Sequence, residues 1–465
     1  MLSNRTKSLI DENVKPSTTI LILAWPVLVE QILSTLVQSV DTAMVGSLGA
    51  VATASVSISF TPVMLLTSMI MSFGAGFTAL IARSVGAHNY ERANSLTRQA
   101  ITTIMMTGIP LSVICWFLAD DIPRWMGAEA DVIALATGYN KIMAASMAFR
   151  VITIMISAIH RGFGDTKTPM LVNTGVNIAN VIGNYLLIYP THNVTIFGKT
   201  FTVWGAGWGV NGAAASTTGT IVIGAVVMIC LMFFKPSKLQ IFIKDSFKLV
   251  KEDMKSVTTI GVPLMLQRFV MGVASVVIAS TVASLGTIAV ASNSLASTIE
   301  SFCYMPGFAF ASAATTLIGQ SLGAERPDLG EKYVATCIKI ASVAMGVGSV
   351  VLFVFAPQII SLFTPDAQVI KTGSELVKLL ATIQIPCAIS DIYAGALRGA
   401  GDAKVPFYIT LVSMWGVRVL GATVFIHVFG LSVHWVIIAM NTDNIVRTIL
   451  FDRRFKTGRW KHLKF

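Results

Sequence analysis

The chain has 465 residues, of which 54% are hydrophobic and only 12% are charged. Soluble domains carry about 25% charged residues, so the composition excludes an ordinary soluble protein. The net charge of +11 does not indicate a nucleic-acid-binding protein, because the basic residues concentrate in alternate loops, as they do in membrane proteins. The five cysteines lie inside apolar segments without the spacing of metal ligands or disulfides, so we expect them to be core residues.

Twelve apolar segments are predicted to cross a bilayer, because a spanning helix needs roughly 20 such residues. Each must be helical, since hydrocarbon offers backbone groups no hydrogen-bond partner. The first segment lacks a small-residue cleavage site and is interpreted as a retained helix rather than a signal peptide. The predicted helices are 18–42, 51–82, 96–118, 131–158, 167–189, 206–234, 256–282, 288–320, 333–356, 369–395, 404–428 and 432–451.

Lysine and arginine concentrate in the N-terminal tail, in the loops after the second and sixth predicted helices, and in the C-terminal tail. The opposite loops are poor in these residues, and the loop after the third helix is acidic. Because basic loops stay on the cytoplasmic side, both termini are predicted to be cytoplasmic and the number of spans to be even.

The chain contains an internal repeat. Residues 161–169 read RGFGDTKTP and residues 398–406 read RGAGDAKVP, 237 residues apart. The same offset relates Pro26 to Pro263, and the sequence SVGA after the second helix to SLGA after the eighth. The glycines of RGxGDxKxP allow a tight turn and its proline suits the first turn of a helix, so the motif is interpreted as structural rather than as a gate.

The repeat predicts an all-α membrane protein of two six-helix lobes. Six spans per repeat bring both halves into the membrane from the same side, so a pseudo-two-fold axis along the membrane normal relates them. Transporters built this way alternate access by rocking one half against the other. The predicted parts are an N-terminal lobe at 1–234, a basic cytoplasmic linker at 235–255 and a C-terminal lobe at 256–465.

Polar residues at membrane depth are costly and therefore indicate functional sites. The first predicted helix carries Gln38 and Asp41 on one face. The fifth carries a row of asparagines at helical spacing: Asn173, Asn177, Asn180 and Asn184. Interhelical hydrogen bonding is the structural alternative, but four amides beside a lone carboxylate favour a functional site. Burial disfavours a charged carboxylate, so Asp41 could take up and release a proton, or amide oxygens could complete a sodium shell around it.

These features resemble the multidrug and toxic compound extrusion (MATE) family over nearly the whole chain. The resemblance rests on DTAMVG at 41–46, the repeated SxGA, the Met305–Pro306 step, TTLIGQ at 315–320 and the doubled RGxGDxKxP. It implies two six-helix lobes around a V-shaped cavity, with drug export in exchange for protons or sodium.

The resemblance also extends to individual positions. It supports Asp41, Asn180 and Asn184 as matches to the first-lobe cation site, and Tyr139 as a match to a pocket position. Asn184 stands where some members carry an aspartate, which places the chain nearer the NorM-like branch.

The second half does not copy this site. The repeat aligns Ile278 with Asp41. NorM-like members often carry carboxylates in their seventh and tenth helices, and the corresponding positions here look like Met271 and Cys387. We therefore do not carry that second-lobe cation site over to this chain.

Three other acids lie deep in the second half, namely Glu300, Asp391 and Asp443. Glu300 and Asp391 are candidates for cation or substrate binding. Alternatively, each acid could neutralise a buried arginine such as Arg268 or Arg418.

The sequence thus predicts a proton- or sodium-coupled antiporter that exports organic, often cationic, compounds by alternating access. No nucleophile–base arrangement is visible, so neither an enzyme nor a cofactor is expected. The expected cation-binding residues are Asp41, Asn180 and Asn184. The expected substrate-binding residues are Gln38, Tyr139, Asn177, Glu300 and Asp391. We expect a monomer in the bacterial cytoplasmic (inner) membrane, with small organic compounds and the bilayer as its partners.

A flippase of lipid-linked sugars, from the same superfamily, is the alternative. It would need cavity arginines to hold a pyrophosphate, and Arg150, Arg268 and Arg418 are the candidates.

Overall fold

The computed structural model describes residues 14–196, 199–234 and 246–463, which are nearly all helical. The helices of the first half are α1 (Pro16–Gly46), α2 (Ala50–Gly86), α3 (Tyr90–Phe117), α4 (Asp121–Trp125), α5 (Ala130–Phe163), α6 (Lys167–Ile188) and α7 (Gly209–Phe234). Those of the second half are α8 (Lys251–Ala283), α9 (Thr287–Gly323), α10 (Pro327–Ser361), α11 (Ala367–Ala381), α12 (Gln384–Gly399), α13 (Lys404–Val428) and α14 (His434–Lys456).

The predicted spans correspond to these helices, with one span broken. Ten described helices are long and apolar enough to cross a membrane, and the pair α11 and α12, bent by 50°, makes an eleventh. The prediction of one continuous helix over 369–395 is therefore wrong. The twelfth predicted span corresponds in position to α14, a helix that carries polar and charged residues along its length and is not one of these eleven. The helices of each half form one lobe, with α4 as a short extra helix in the first.

Residues 235–245 of the predicted linker 235–255 lie outside the described residues. Its last residues, 251–255, form the first turn of α8.

A β-hairpin between α6 and α7 was not predicted. Strand β1 (Pro190–Ile196) pairs antiparallel with β2 (Lys199–Ala206). Both strands contain threonine and valine, and β2 adds Phe201 and Trp204; all of these residues favour extended backbone. They are too short to span a bilayer as helices, so a search for apolar segments passes over them.

One end of the bundle is closed by the last turns of α2 and α9. A Cβ on Gly86 would come closer than 3.0 Å to the backbone of Gln320, and a Cβ on Gly323 equally close to the backbone of Arg83. Only glycine permits this approach. The Thr316 hydroxyl donates to the Arg161 carbonyl at 3.1 Å across the same boundary. We call this region, where α2 and α9 end, the closed end; the repeated SxGA sequences thus form the contact between the lobes.

Each half begins inside the opposite lobe. Ile20 and Leu23, from the start of α1, pack in a buried cluster with α9, α10 and α12 of the second lobe. Val257 and Ile260, from the start of α8, pack in the first-lobe core around Phe77. The two lobes therefore exchange the first turns of their first helices at the closed end.

The repeated RGxGDxKxP forms the expected turns. Gly164 and Gly401, with φ of 83° and 85°, lie in the left-handed region just after α5 and α12. Asp165 accepts hydrogen bonds from the backbone and side chain of Thr168 at 3.0 and 2.5 Å. Burial raises the pKa of Asp165, but hydrogen bonds from His160 and Thr168 outweigh it and hold that pKa below its ordinary value. The turn prediction is confirmed.

Candidate functional site

The acid of α1 meets the asparagine row of α6. The Asn184 Nδ2 donates to Asp41 Oδ1 at 2.5 Å. With its amide nitrogen turned towards Asp41, Asn180 lies 3.1 Å from both carboxylate oxygens and accepts from the Thr217 hydroxyl. Asn180 and Asn184 are buried, and Asp41 is half-buried. The structure therefore brings together the three residues expected at the cation site.

One oxygen in this cluster lacks a partner. Asn184 Oδ1 is buried and has no hydrogen-bond donor among the described residues. A buried polar atom without a partner costs about 1–3 kcal/mol. Asn184 Oδ1 could coordinate a hard cation bound beside Asp41, or accept a hydrogen bond from a protonated Asp41. Carboxylate and amide oxygens are suitable sodium ligands, so the residues present fit either ion.

A second carboxylate, Glu30, shares the interface between α1 and α6. The Asn173 Nδ2 donates to Glu30 Oε1 at 2.6 Å. Glu30 lies three helical turns before Asp41 on the same face of α1, so Asp41 is not the lone carboxylate of the prediction. The spacing of 11 residues would have identified Glu30 had the polar face been followed towards the start of the helix.

The other first-lobe candidates are more scattered. Tyr139 is buried against Val45 and Ile188, and interacts electrostatically with Asp41 and Arg150. Asn177 is half-buried, Gln38 is exposed, and within the described chain neither side chain hydrogen-bonds to the Asp41 cluster.

The second-lobe candidates occupy separate places. The Tyr304 hydroxyl donates to Asp391 Oδ1 at 2.8 Å, and Asp391 Oδ2 is buried without a partner among the described residues. Glu300 lies beside Gln384 and Arg418 instead.

Asp443 pairs with two arginines inside the second lobe. It is fully buried and forms salt bridges with Arg418 at 2.8 Å and Arg447 at 2.7 Å, and it also accepts from the Ser413 hydroxyl. This arrangement matches the structural ion pair considered for Asp443 and Arg418.

Replacing Asp443 by alanine is expected to destabilise the protein. Two buried arginines would lose their shared anion, and breaking a buried ion pair from one side costs about 3–5 kcal/mol. The free energy of unfolding, measured by SDS titration in mixed micelles, should fall by that amount. Glu129→Gln, at an exposed position before α5, is the matched control, and an equally small change in both variants would contradict the structural role.

A cavity of about 180 Å³ lies between the lobes. Its wall comes from α2 and α5 of the first lobe and from α8, α9, α12, α13 and α14 of the second. The charged groups on this wall are Arg161, Arg268, Asp391, Arg398 and Arg447. The sequence predicts a cytoplasmic loop at each RGxGDxKxP motif, whereas the structure has its first residues, Arg161 and Arg398, on the cavity wall. The sequence does contain one indication of a shared role, because Arg161 and Arg398 occupy equivalent positions in the two repeats.

Comparison with known proteins agrees with the fold and the repeat. The family model MatE matches residues 26–186 and again 263–424, beginning at the two prolines that the repeat relates. An uncharacterized transporter, YisQ of Bacillus subtilis, is 27% identical over 94% of both chains. A probable multidrug resistance protein, NorM of Thermotoga maritima, is 28% identical over 94% of this chain and 92% of its own.

Solved structures have the same architecture. A crystal structure of MATE in complex with MaL6 superposes with a TM-score of 0.88 at 23% identity, covering 97% of this chain and 98% of that one. The duplicated family match, the two lobes and the structural likeness agree with the resemblance seen in the sequence. The chain therefore belongs to the MatE family of multidrug and toxic compound extrusion proteins, which are membrane transporters rather than enzymes.

Proposed function

We propose that the chain is a cation-coupled antiporter that exports organic compounds by alternating access, with Asp41, Asn180 and Asn184 binding the coupling ion. The observation that carries this proposal is the carboxylate of α1 held by two buried amides of α6. Such a cluster at membrane depth is costly unless it has a function.

The chemistry of the cluster supports either coupling ion. As a carboxylate, Asp41 accepts hydrogen bonds from Asn180 and Asn184 together. A proton on Asp41 removes its charge and weakens these bonds, which loosens the contact between α1 and α6. A sodium ion would be held by the carboxylate and amide oxygens and would neutralise the same charge. Ion binding thus changes how α1 sits in its lobe.

The distribution of charge supports an orientation. Arg83, Arg92 and Arg454 lie at the closed end, whereas Asp120 and Asp121 lie at the opposite end. Basic residues favour the cytoplasmic side, so we place the closed end and both termini in the cytoplasm. The present conformation is then closed to the cytoplasm. The bacterial origin of the relatives supports a cytoplasmic membrane location.

The names of relatives bear on the substrate. Several NorM proteins of similar sequence are described as probable multidrug resistance proteins. By analogy we propose that this chain exports organic compounds of more than one kind. Gln38, Tyr139 and Asn177 are the candidate contacts in the first lobe, and the internal duplication supports a functional monomer.

A second candidate is a flippase for lipid-linked sugars, and one observation favours it. Arg268 lies on the cavity wall, as this function would require. Of the other two candidate arginines, Arg418 is bound to Asp443 and Arg150 lies beside Tyr139. This function is therefore less well supported than export.

The test is transport by the full-length protein in vesicles with separately imposed proton and sodium gradients. Ethidium is one probe and carboxyfluorescein another, so that both charge types are covered. We expect an inward gradient of one ion to drive export of at least one probe. Equal transport with and without either gradient would refute the coupling, and rescue of lipid-linked precursor flipping without probe export would favour the flippase.

A further inference from the structure

We propose that the compound bound between the lobes carries an anionic group, a carboxylate or a phosphate. This inference names the substrate class of the proposed exporter and rests on that proposal. It starts from the inter-lobe cavity, which is lined by Arg161 of α5, Arg268 of α8 and Arg398 of α12. The first arginine belongs to one lobe and the other two to its partner lobe.

The cavity wall does not neutralise these arginines. Asp391 is the one carboxylate among the described lining residues, and one carboxylate cannot balance three guanidinium groups. Within the described chain, neither Arg268 nor Arg398 forms a salt bridge, and the two repel each other. The Arg161 Nε donates only to the carbonyl of Ser157, one turn earlier.

The remaining lining arginine does not alter this balance. Arg447 shares Asp443 with Arg418, so one acid there serves two bases. Glu300 lies beside Arg418 and Gln384 and is not one of the described lining residues. On the cavity wall itself, four arginines thus accompany one carboxylate, Asp391.

Guanidinium groups of like charge that line one cavity repel one another, as Arg268 and Arg398 do. An anion bound between the arginines would offset that repulsion. The planar guanidinium matches carboxylate and phosphate geometry with two parallel hydrogen bonds. An organic cation in the same place would meet repulsion instead.

The rest of the wall is suited to an organic body rather than an inorganic ion. Phe308 and Phe451 line it together with Met71, Met271 and Leu264. The volume of about 180 Å³ is several times the share of a single water molecule. The cavity therefore combines a basic cluster with an apolar surface, which is complementary to an amphiphilic anion.

Binding here would also act on the conformational change. An anion that contacts Arg161 and Arg398 joins the two lobes near the closed end. Its arrival or release therefore shifts the balance between the two orientations of the lobes, as substrate must in alternating access.

The test is equilibrium binding to the full-length protein in phosphatidylcholine nanodiscs, followed by the polarisation of carboxyfluorescein fluorescence. Arg398→Gln and Arg268→Gln should each weaken binding about tenfold, as expected for loss of a charged hydrogen bond. Arg398→Lys should restore part of the affinity. Arg453→Gln, which removes an exposed arginine from the last turn of α14, is the matched control and should leave affinity unchanged.

Both cavity variants are measured so that a loss of folding is not mistaken for a loss of binding. Arg398 is half-buried, whereas Arg268 is exposed, so the fold should tolerate Arg268→Gln. Carboxyfluorescein binding that is undetectable, or equal in the two cavity variants and in Arg453→Gln, would overturn the inference. A second arm adds phosphatidylglycerol to the nanodiscs. Competition with the probe would show that lipid headgroups use the same site, and lack of competition would indicate a free anionic compound.

The binding assay separates this inference from the proposed function because it needs no ion gradient. Arginine-dependent binding without gradient-driven transport would retain the anion site and refute coupled export. Gradient-driven ethidium export without carboxyfluorescein binding would refute the anion site and retain coupled export.

Discussion

Replacing Asp41 by asparagine is expected to uncouple export from the ion gradient. Asparagine keeps the size of the side chain, but it can neither bind a proton near neutral pH nor lend negative charge to sodium. The stimulation of probe export by the gradient should fall by about 5–150-fold, the usual range of coupling between two sites. The measurement is the initial rate of export from vesicles with and without the imposed gradient.

Two comparisons sharpen this prediction. Glu30→Gln removes the other carboxylate of the α1–α6 interface, which is bound by Asn173, and should retain more coupling because it leaves the Asp41 cluster intact. Glu129→Gln, outside the cluster, should behave as the parent protein does. An Asp41→Asn protein with undiminished pH or sodium dependence would remove Asp41 from the coupling mechanism.

The second large effect is expected at the closed end. In Gly86→Ala and Gly323→Ala, the new Cβ meets the backbone of the opposite helix. Overpacking of this kind costs about 1–3 kcal/mol, and here the cost falls only on the conformation in which α2 and α9 touch. The population closed at this end should therefore decrease by about 5–150-fold, and export should slow accordingly.

Accessibility of the inter-lobe boundary measures this shift. A cysteine introduced as Thr316→Cys, in an otherwise cysteine-free protein, replaces a buried residue at the contact with Arg161. Maleimide should label it slowly in the parent and faster in the two glycine variants. Gly219→Ala is the matched control, since a Cβ there has no atom within 4 Å. Unchanged labelling in Gly86→Ala and Gly323→Ala would contradict the proposed role of the closed end.

Some features could be predicted because they follow from the lipid bilayer that surrounds the protein. Apolar length alone located the spans, since lipid forces each segment to be helical. The contact of Asp41 with Asn184 was also foreseeable, because each lies on a polar face that must avoid lipid and can only turn towards the other.

Two features were not predicted, and for different reasons. The break between α11 and α12 has a local cause, since Pro386 cannot donate a backbone hydrogen bond to the residue four before it, Thr382, where α11 has just ended. The placement of Arg161 and Arg398 on the cavity wall had no such cause. It depends on how the two lobes pack against each other. The RGxGDxKxP sequence predicts a turn, but it does not indicate the direction of its arginine side chain.

The exchange of first helices has a consequence for the origin of the fold. A single ancestral repeat would have left an apolar groove at one end, shaped for the opening turns of α1 or α8 and open to water when the protein was alone. Two copies, each inserting its first turns into the groove of the other, cover both surfaces at once. Joined in one chain, the two copies keep these surfaces covered while their first helices differ elsewhere, as they do at Asp41 and Ile278.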